Sequence, residues 1–189
     1  MKYNTNEISA LQQLIKAGDI HAFERLYKLM FPGLHQFCAG YVGQPEAAEE
    51  IVNDIMLRQW LQRTEITAIL HLPAYLFTAV RNASLNHLRS RSGMMVVLNT
   101  TTDETELQSC PTPEEHLEWK DQLARFQQFV DGLPTQSRQI FKLVKEEGFL
   151  VKEAAAILGL SPRTVETQLY RAFKKMTEVF PDMKRPAKK

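Results

Sequence analysis

Between Pro162 and Met176 the chain places Arg163, Thr164, Thr167, Tyr170, Arg171 and Lys174 on one side of a predicted helix, with Glu166 on its flank. At about 100° per residue, Val165, Leu169, Ala172, Phe173 and Met176 gather on the other side. One face is therefore apolar, and the other carries long donors and hydroxyls. Those side chains suit recognition of a duplex. Arginine bonds a guanine edge in two places, threonine meets a thymine methyl, and glutamate accepts from cytosine. Lys174, Lys175 and the basic tail 184–189 suit phosphates.

The residues just before this helix supply what would hold it at a fixed angle. Ala154, Ala155 and Leu158 give a short preceding helix a small apolar face. Gly159 permits the left-handed backbone of a sharp turn, and Leu160 is placed to plug the gap between the helices. Ser161 is a good N-cap, and Pro162 fits the first helical position. A short turn with glycine, an apolar plug and a capped second helix is the sequence form of a helix-turn-helix.

Other chemistries find little support. The five histidines (21, 35, 71, 87 and 116) are scattered without metal-ligand spacing, and His35 with Cys38 supplies only two ligands. No glycine-rich phosphate loop or nucleophile elbow is present. The reading is therefore no catalytic residue, no metal, no cofactor and no small-molecule substrate. Cys38 and Cys110 stand far apart, outside any C-x-x-C pair, so neither a disulfide nor a zinc site is expected. No apolar run approaches the ~20 residues of a membrane span, and residues 1–7 lack a signal-peptide core. A cytoplasmic protein is expected.

Net charge is +1 over 189 residues, but it is unevenly spread. Residues 96–122 carry one basic and seven acidic groups, whereas residues 123–189 carry thirteen basic and seven acidic. A basic C-terminal segment behind an acidic spacer fits a nucleic-acid-binding domain on a linker.

Stepping along the chain gives helices throughout. Asn6–Ala17 is predicted amphipathic through Ile8, Leu11, Leu14 and Ile15. Gly18 ends it and Asp19 caps the next helix, whose face is Ala22, Phe23, Leu26, Leu29 and Met30. Pro32-Gly33 is a predicted bend or interruption before Leu34, Phe37, Cys38 and Tyr41. Pro45 opens a third helix to Leu61, with Ile51, Ile55 and Trp60 inward. Residues 63–72 are expected as a loop, and 73–91 as a fourth helix on Leu76, Val80, Leu85 and Leu88. Residues 93–112 are expected as an acidic flexible linker. Thr112-Pro113-Glu114-Glu115 forms a capping box that opens a second domain, with helices near 113–131, 135–147, 151–158 and 162–180. The expected fold is all-α: two small helical domains, 1–92 and 113–183, with a basic tail at 184–189.

The motifs also resemble a known family. Leu133-Pro134, Ser137-Arg138-Gln139-Ile140-Phe141, the run Lys152 to Ser161 and Thr164-Val165-Glu166 resemble region 4 of bacterial sigma factors. Gly18-Asp19, Ala22-Phe23-Glu24 and Leu26-Tyr27 look like the start of sigma region 2. The run from Ala48 to Trp60 is similar to region 2.2, and Tyr75 to Asn82, with Leu85 and Leu88-Arg89, to the end of region 2. The segments stand in family order without a third domain between them. The chain thus resembles an extracytoplasmic-function (ECF) RNA polymerase sigma factor, group IV of the sigma-70 family.

The resemblance implies a promoter-specificity factor that joins core RNA polymerase. Glu50, Asn53, Asp54, Leu57 and Arg58 would dock on the clamp helices of the largest subunit, and the second domain on the flap of the second. Arg163, Thr164, Glu166, Thr167, Tyr170, Arg171 and Lys174 would read the −35 element as duplex. Arg63, Arg81, Asn82 and Arg89 would serve the −10 element as single strand, with a base flipped into a pocket beside the loop 63–71. The family often has Trp where Tyr75 stands, and Tyr keeps the aromatic body. The resemblance also implies an anti-sigma factor, in some cases membrane-anchored. It routes the acidic linker near the RNA path in polymerase, while a solvated spacer fits the same residues. A stand-alone helix-turn-helix regulator is the competing reading. It has no need of the two region 2 segments.

Overall fold

The computed structural model describes residues 2–92 and 124–180. Helix α1 (Thr5–Lys16) is capped by Asn4, whose side chain accepts from the Asn6 amide. Gly18 takes φ +90, and Asp19 caps α2 (Ile20–Val42) by accepting from the amides of His21 and Ala22. Helix α3 (Pro45–Leu61) begins on its proline, leads into a 3-10 turn (Arg63–Ala68), and is followed by α4 (Leu72–Ser92). After the second described stretch begins, α5 covers 124–131. Helix α6 (Thr135–Phe141) passes into a π segment (Lys142–Glu146). Helices α7 (Val151–Leu158) and α8 (Pro162–Val179) complete the fold. All regular elements among the described residues are helical, in two domains.

Several expectations need correction. Pro32-Gly33 does not interrupt α2, which contains Pro32 and runs unbroken. Pro32 itself is exposed. Leu14 is 46% exposed and stands outside the apolar stripe of α1, whose buried positions are Ile8, Leu11, Gln12 and Ile15. The segment after α3 is not plain loop, because Ile66 is buried and draws it into the 3-10 turn. Trp60 is only half-buried, packed on Phe23 with ring centroids 5.2 Å apart. The helix expected over 135–147 is α-helical only to Phe141. The acidic linker, the capping box at 112–115, Cys110 and the tail 184–189 lie outside the described residues.

The core does not divide at the linker. Ile140, Leu143, Phe149, Ala154, Ala155, Ile157, Leu158, Val165 and Leu169 from the second domain join one buried cluster with α1 to α4. Helix α7 packs on α4, and α6 on α2. A smaller cluster of Phe129, Val130, Leu133, Phe141 and Ala172 holds α5 on α6 and α8.

Candidate nucleic-acid interface

The helix-turn-helix is built by local chemistry. Gly159 has φ +65, and its amide and that of Leu160 bond back to Ala156 and Ala155. Glu153 reaches back to accept from the Leu150 amide at 2.8 Å, fixing the start of α7. Ser161 Oγ accepts from the Thr164 amide at 3.0 Å, fixing the start of α8. Val165, Leu169 and Ala172 are buried, and Leu160 is half-buried against the core. Arg163, Glu166, Thr167, Tyr170, Arg171 and Lys174 are left exposed, Tyr170 to 71%. Thr164 is half-buried beside the cap, its hydroxyl 2.8 Å from that of Ser161. Thr167 donates to the Arg163 carbonyl at 2.8 Å, which leaves its methyl free for contact. α8 packs chiefly on α6 and α7, so its outward face is clear.

A second exposed face runs along α4. Tyr75, Asn82, Asn86 and Arg89 are all exposed on the side away from the buried Leu76, Phe77, Val80 and Ser84. It pairs an aromatic ring with two amides and a guanidinium, the combination that stacks and bonds an unpaired base. Arg89 donates to Asn86 Oδ1 at 3.5 Å. Tyr75, already marked by motif as the family's aromatic position, and Asn86, which no motif singled out, complete this face. Their exposure follows only from which side α4 buries.

The 63–71 segment beside it is held from below. Gln12, buried in α1, donates to the carbonyls of Ile66 at 2.6 Å and Ile69 at 2.9 Å. A buried glutamine on an otherwise apolar stripe was the available signal, because a buried amide demands partners. Leu70 is 84% exposed at the outer edge. Arg63 folds back over the Trp60 ring at 4.9 Å and donates to the Trp60 carbonyl at 3.3 Å.

Arg81 donates to Asn82 Oδ1 at 3.5 Å and also reaches toward the second domain. It is half-buried between the domains, against the turn of the helix-turn-helix, with Nη2 3.4 Å from the place a β-carbon on Gly159 would occupy. It also faces Tyr41, whose phenol is pushed up to about 12 by burial, Arg81 opposing through charge and hydrogen bonding. Arg81 thus joins Asn82 on its own helix to the turn of the second domain.

On α3, Glu50, Asn53, Asp54, Leu57 and Arg58 are all exposed, at the three- and four-residue spacing of one helical face. Leu57 is 56% exposed and Leu61, one turn on, 68%. Leu61 belongs to this face and was missed because it reads equally well as the end of the core stripe. Asn53 Oδ1 accepts from the Tyr27 hydroxyl at 2.7 Å. Two apolar side chains thus stand exposed among charges on one face of α3.

Known proteins resemble both halves of the chain. Residues 26–93 match the family model for Sigma-70 region 2, and residues 123–176 that for Sigma-70, region 4. The chain is 30% identical over 146 residues to the ECF RNA polymerase sigma factor EcfG of Rhodopseudomonas palustris, covering 77% of this chain and 78% of that protein. It is 28% identical over 171 residues to the RNA polymerase sigma factor NccH of Alcaligenes xylosoxydans xylosoxydans, covering 89% and 91%. Among solved structures it is similar in fold to CnrH, in complex with the cytosolic domain of CnrY (TM-score 0.57, 21% identity, 94% of this chain and 99% of that one). It is also similar to the sigma factor RpoE of Bartonella quintana, in complex with the anti-sigma factor NepR (TM-score 0.56, 22% identity, 86% and 98%).

Proposed function

This chain belongs to the ECF RNA polymerase sigma factors, which direct transcription initiation, and on that premise we propose which of its surfaces does each part of the work. The exposed face of α3 docks on the clamp helices of the largest subunit of core polymerase, Leu57 and Leu61 supplying apolar contact and Glu50, Asn53, Asp54 and Arg58 its polar surround. The second domain meets the flap of the other large subunit. The outward face of α8 enters the major groove of the −35 element, with Arg163, Thr164, Glu166, Thr167, Tyr170 and Arg171 toward bases and Lys174 toward phosphate. The face Tyr75–Asn82–Asn86–Arg89 and the segment 63–71 receive the −10 strand. Extruding a base costs a few kcal/mol of stacking, which the Tyr75 ring and the Asn82 amide offset.

The carrying observation is that three recognition faces on α3, α4 and α8 are exposed on a fold whose two halves match regions 2 and 4. Polymerase performs the chemistry, and this chain takes no small-molecule substrate. Of two similar structures, one holds CnrH with the cytosolic domain of CnrY and the other a sigma factor with an anti-sigma factor. By analogy this chain has such a partner, which acts at a membrane if it is anchored there. No helix among the described residues is itself long and apolar enough to cross a membrane, and the site of action is the cytoplasm. Run-off transcription with core polymerase on fragmented host genomic DNA tests the whole reading. Discrete promoter-specific transcripts are expected. Failure to bind core, with duplex binding retained, would point to a stand-alone regulator.

A further inference from the structure

Helix α1 stands ahead of residues 26–93, which carry the region 2 match. Its buried stripe is Ile8, Leu11, Gln12 and Ile15, and Gln12 is the one polar member. Burying an amide costs free energy unless its groups are bonded, so this position needs a reason that a fourth aliphatic residue would not. The amide serves the segment after α3. Gln12 Nε2 donates to the carbonyls of Ile66 at 2.6 Å and Ile69 at 2.9 Å.

Those two carbonyls set how the chain leaves the 3-10 turn. The Ile69 amide closes the turn on the Ile66 carbonyl at 3.3 Å, so that carbonyl takes two donors. Ile69 itself is extended, at φ −86 and ψ 100, and Gln12 supplies its carbonyl with a donor. Ile66 is 1% exposed, which anchors the turn by its side chain as well. On the far side, the His71 carbonyl accepts from the Tyr75 amide at 3.0 Å, the bond that opens α4. Leu70 and His71 are therefore a short span between two pinned points. Both are exposed, and Leu70, at 84%, is the most exposed large apolar side chain among the described residues.

We infer that Gln12 is a positioning residue for promoter recognition: by fixing the Ile69 carbonyl it aims Leu70 at the single-stranded −10 element, and so sets base preference at one position there. This rests on the −10 role proposed above for the segment 63–71. Leucine suits such a contact. An apolar side chain meets the face of an unstacked base or wedges between neighbours, and it forms no bond to a base edge. Its discrimination comes from where it stands, so moving it changes which base fits. Gln12 is buried and acts only through the segment it holds.

Gln12→Met tests this. Methionine keeps the length of the side chain and suits an apolar stripe, but it donates nothing, so helix and packing are retained. Hydrogen exchange of the full chain, without DNA or polymerase and read by mass spectrometry, is expected to rise in peptides covering 63–72 and to stay at wild type in α3 and α8. Holoenzyme assembled with core polymerase reads the DNA arm, on a promoter recovered by run-off with all four bases placed at each −10 position in turn. Preference is expected to weaken about tenfold at one −10 position, with −35 preference unchanged. Leu70→Ala is expected to weaken the same position, and adding it to Gln12→Met to weaken it little further, because each removes the same contact. A general loss of stability would instead lower every promoter alike and add to the Leu70 effect. Wild-type exchange over 63–72 in Gln12→Met overturns the positioning. Faster exchange with unchanged preference at every −10 position, or a full additional loss in the double variant, overturns the route through Leu70. Faster exchange in Gln12→Met beside a wild-type chain that gives no promoter-specific transcription overturns the proposed function and the DNA arm with it, and leaves the hold of Gln12 on the segment standing.

Discussion

The guanidinium of Arg81 lies against Gly159, so the last helix of the first domain touches the turn on which the helix-turn-helix pivots. Gly159 is held at φ +65. A β-carbon there would sit in the left-handed region and 3.4 Å from Arg81 Nη2. Gly159→Ala is expected to cost about 1–2 kcal/mol from backbone strain alone. Urea denaturation followed by circular dichroism measures it, and Gly159→Asn, which tolerates this conformation better, should cost less. Equal costs for the two would remove the strain argument.

On α8, Arg171 and Lys174 are both exposed, but their roles differ by chemistry. Arg171→Ala is expected to weaken duplex binding by about 1–3 kcal/mol and to relax preference at one position. Lys174→Ala is expected to weaken all sequences alike and to flatten the salt dependence by about one unit of slope. Fluorescence anisotropy on a panel of single-base variants, at several salt concentrations, distinguishes them. A uniform loss for Arg171→Ala would reassign it to phosphate.

Leu57 and Leu61 present apolar surface to water on α3. Burial of each against a partner contributes up to about 1.5–3 kcal/mol. Leu57→Ser/Leu61→Ser is therefore expected to weaken core polymerase binding at least about tenfold. Folding should be spared, because exposed substitutions mostly stay within about 0.5 kcal/mol. Titration of labelled chain against core, beside a thermal melt, provides both readings. Unchanged affinity would move the docking surface off α3.

Cys38 is buried with its thiol 3.1 Å from the Ser84 hydroxyl, which itself donates to the Val80 carbonyl. The thiol therefore donates to Ser84. Burial pushes the Cys38 thiol pKa up. A raised thiol pKa means less thiolate at any given pH, so alkylation is slow for two reasons, low charge and no access. Iodoacetamide at pH 8, with peptide mass spectrometry, should label Cys38 far more slowly in the folded chain than in urea. Labelling at the rate of a free cysteine in the native protein would contradict this burial.

Local chemistry made much of the fold legible. Asp19, Gly159, Ser161 and Pro162 act where their types say they should, since caps and left-handed turns depend on a few neighbouring atoms. The stripe of α8 was likewise set by period alone. What the sequence hid was tertiary. Pro32 sits at an exposed position inside an unbroken α2, and Leu14 is outward because α1 buries Gln12 instead. Arg81 carries a charge suited to phosphate, and nothing local distinguishes it from Arg89. Only the packing of α7 on α4 separates them. Gly33 and Gly40 pass as tolerated helix residues until Glu147 and Gln139 are seen resting on them.

The π segment at 142–146 sets an angular phase. The Glu147 amide bonds to the Lys142 carbonyl at 3.0 Å and the Phe149 amide to that of Leu143 at 3.0 Å, steps of five and six residues where an α-helix takes four. The segment therefore holds slack that an α-helix does not. Deleting one residue from it would leave a regular helix and a chain just as helical. It would also turn Glu147 by about 100° about the axis, away from Gly33, against which its carboxylate lies. Helicity and register are thus separable in this chain, and its length between Phe141 and Phe149 serves as a gauge for how the two halves meet.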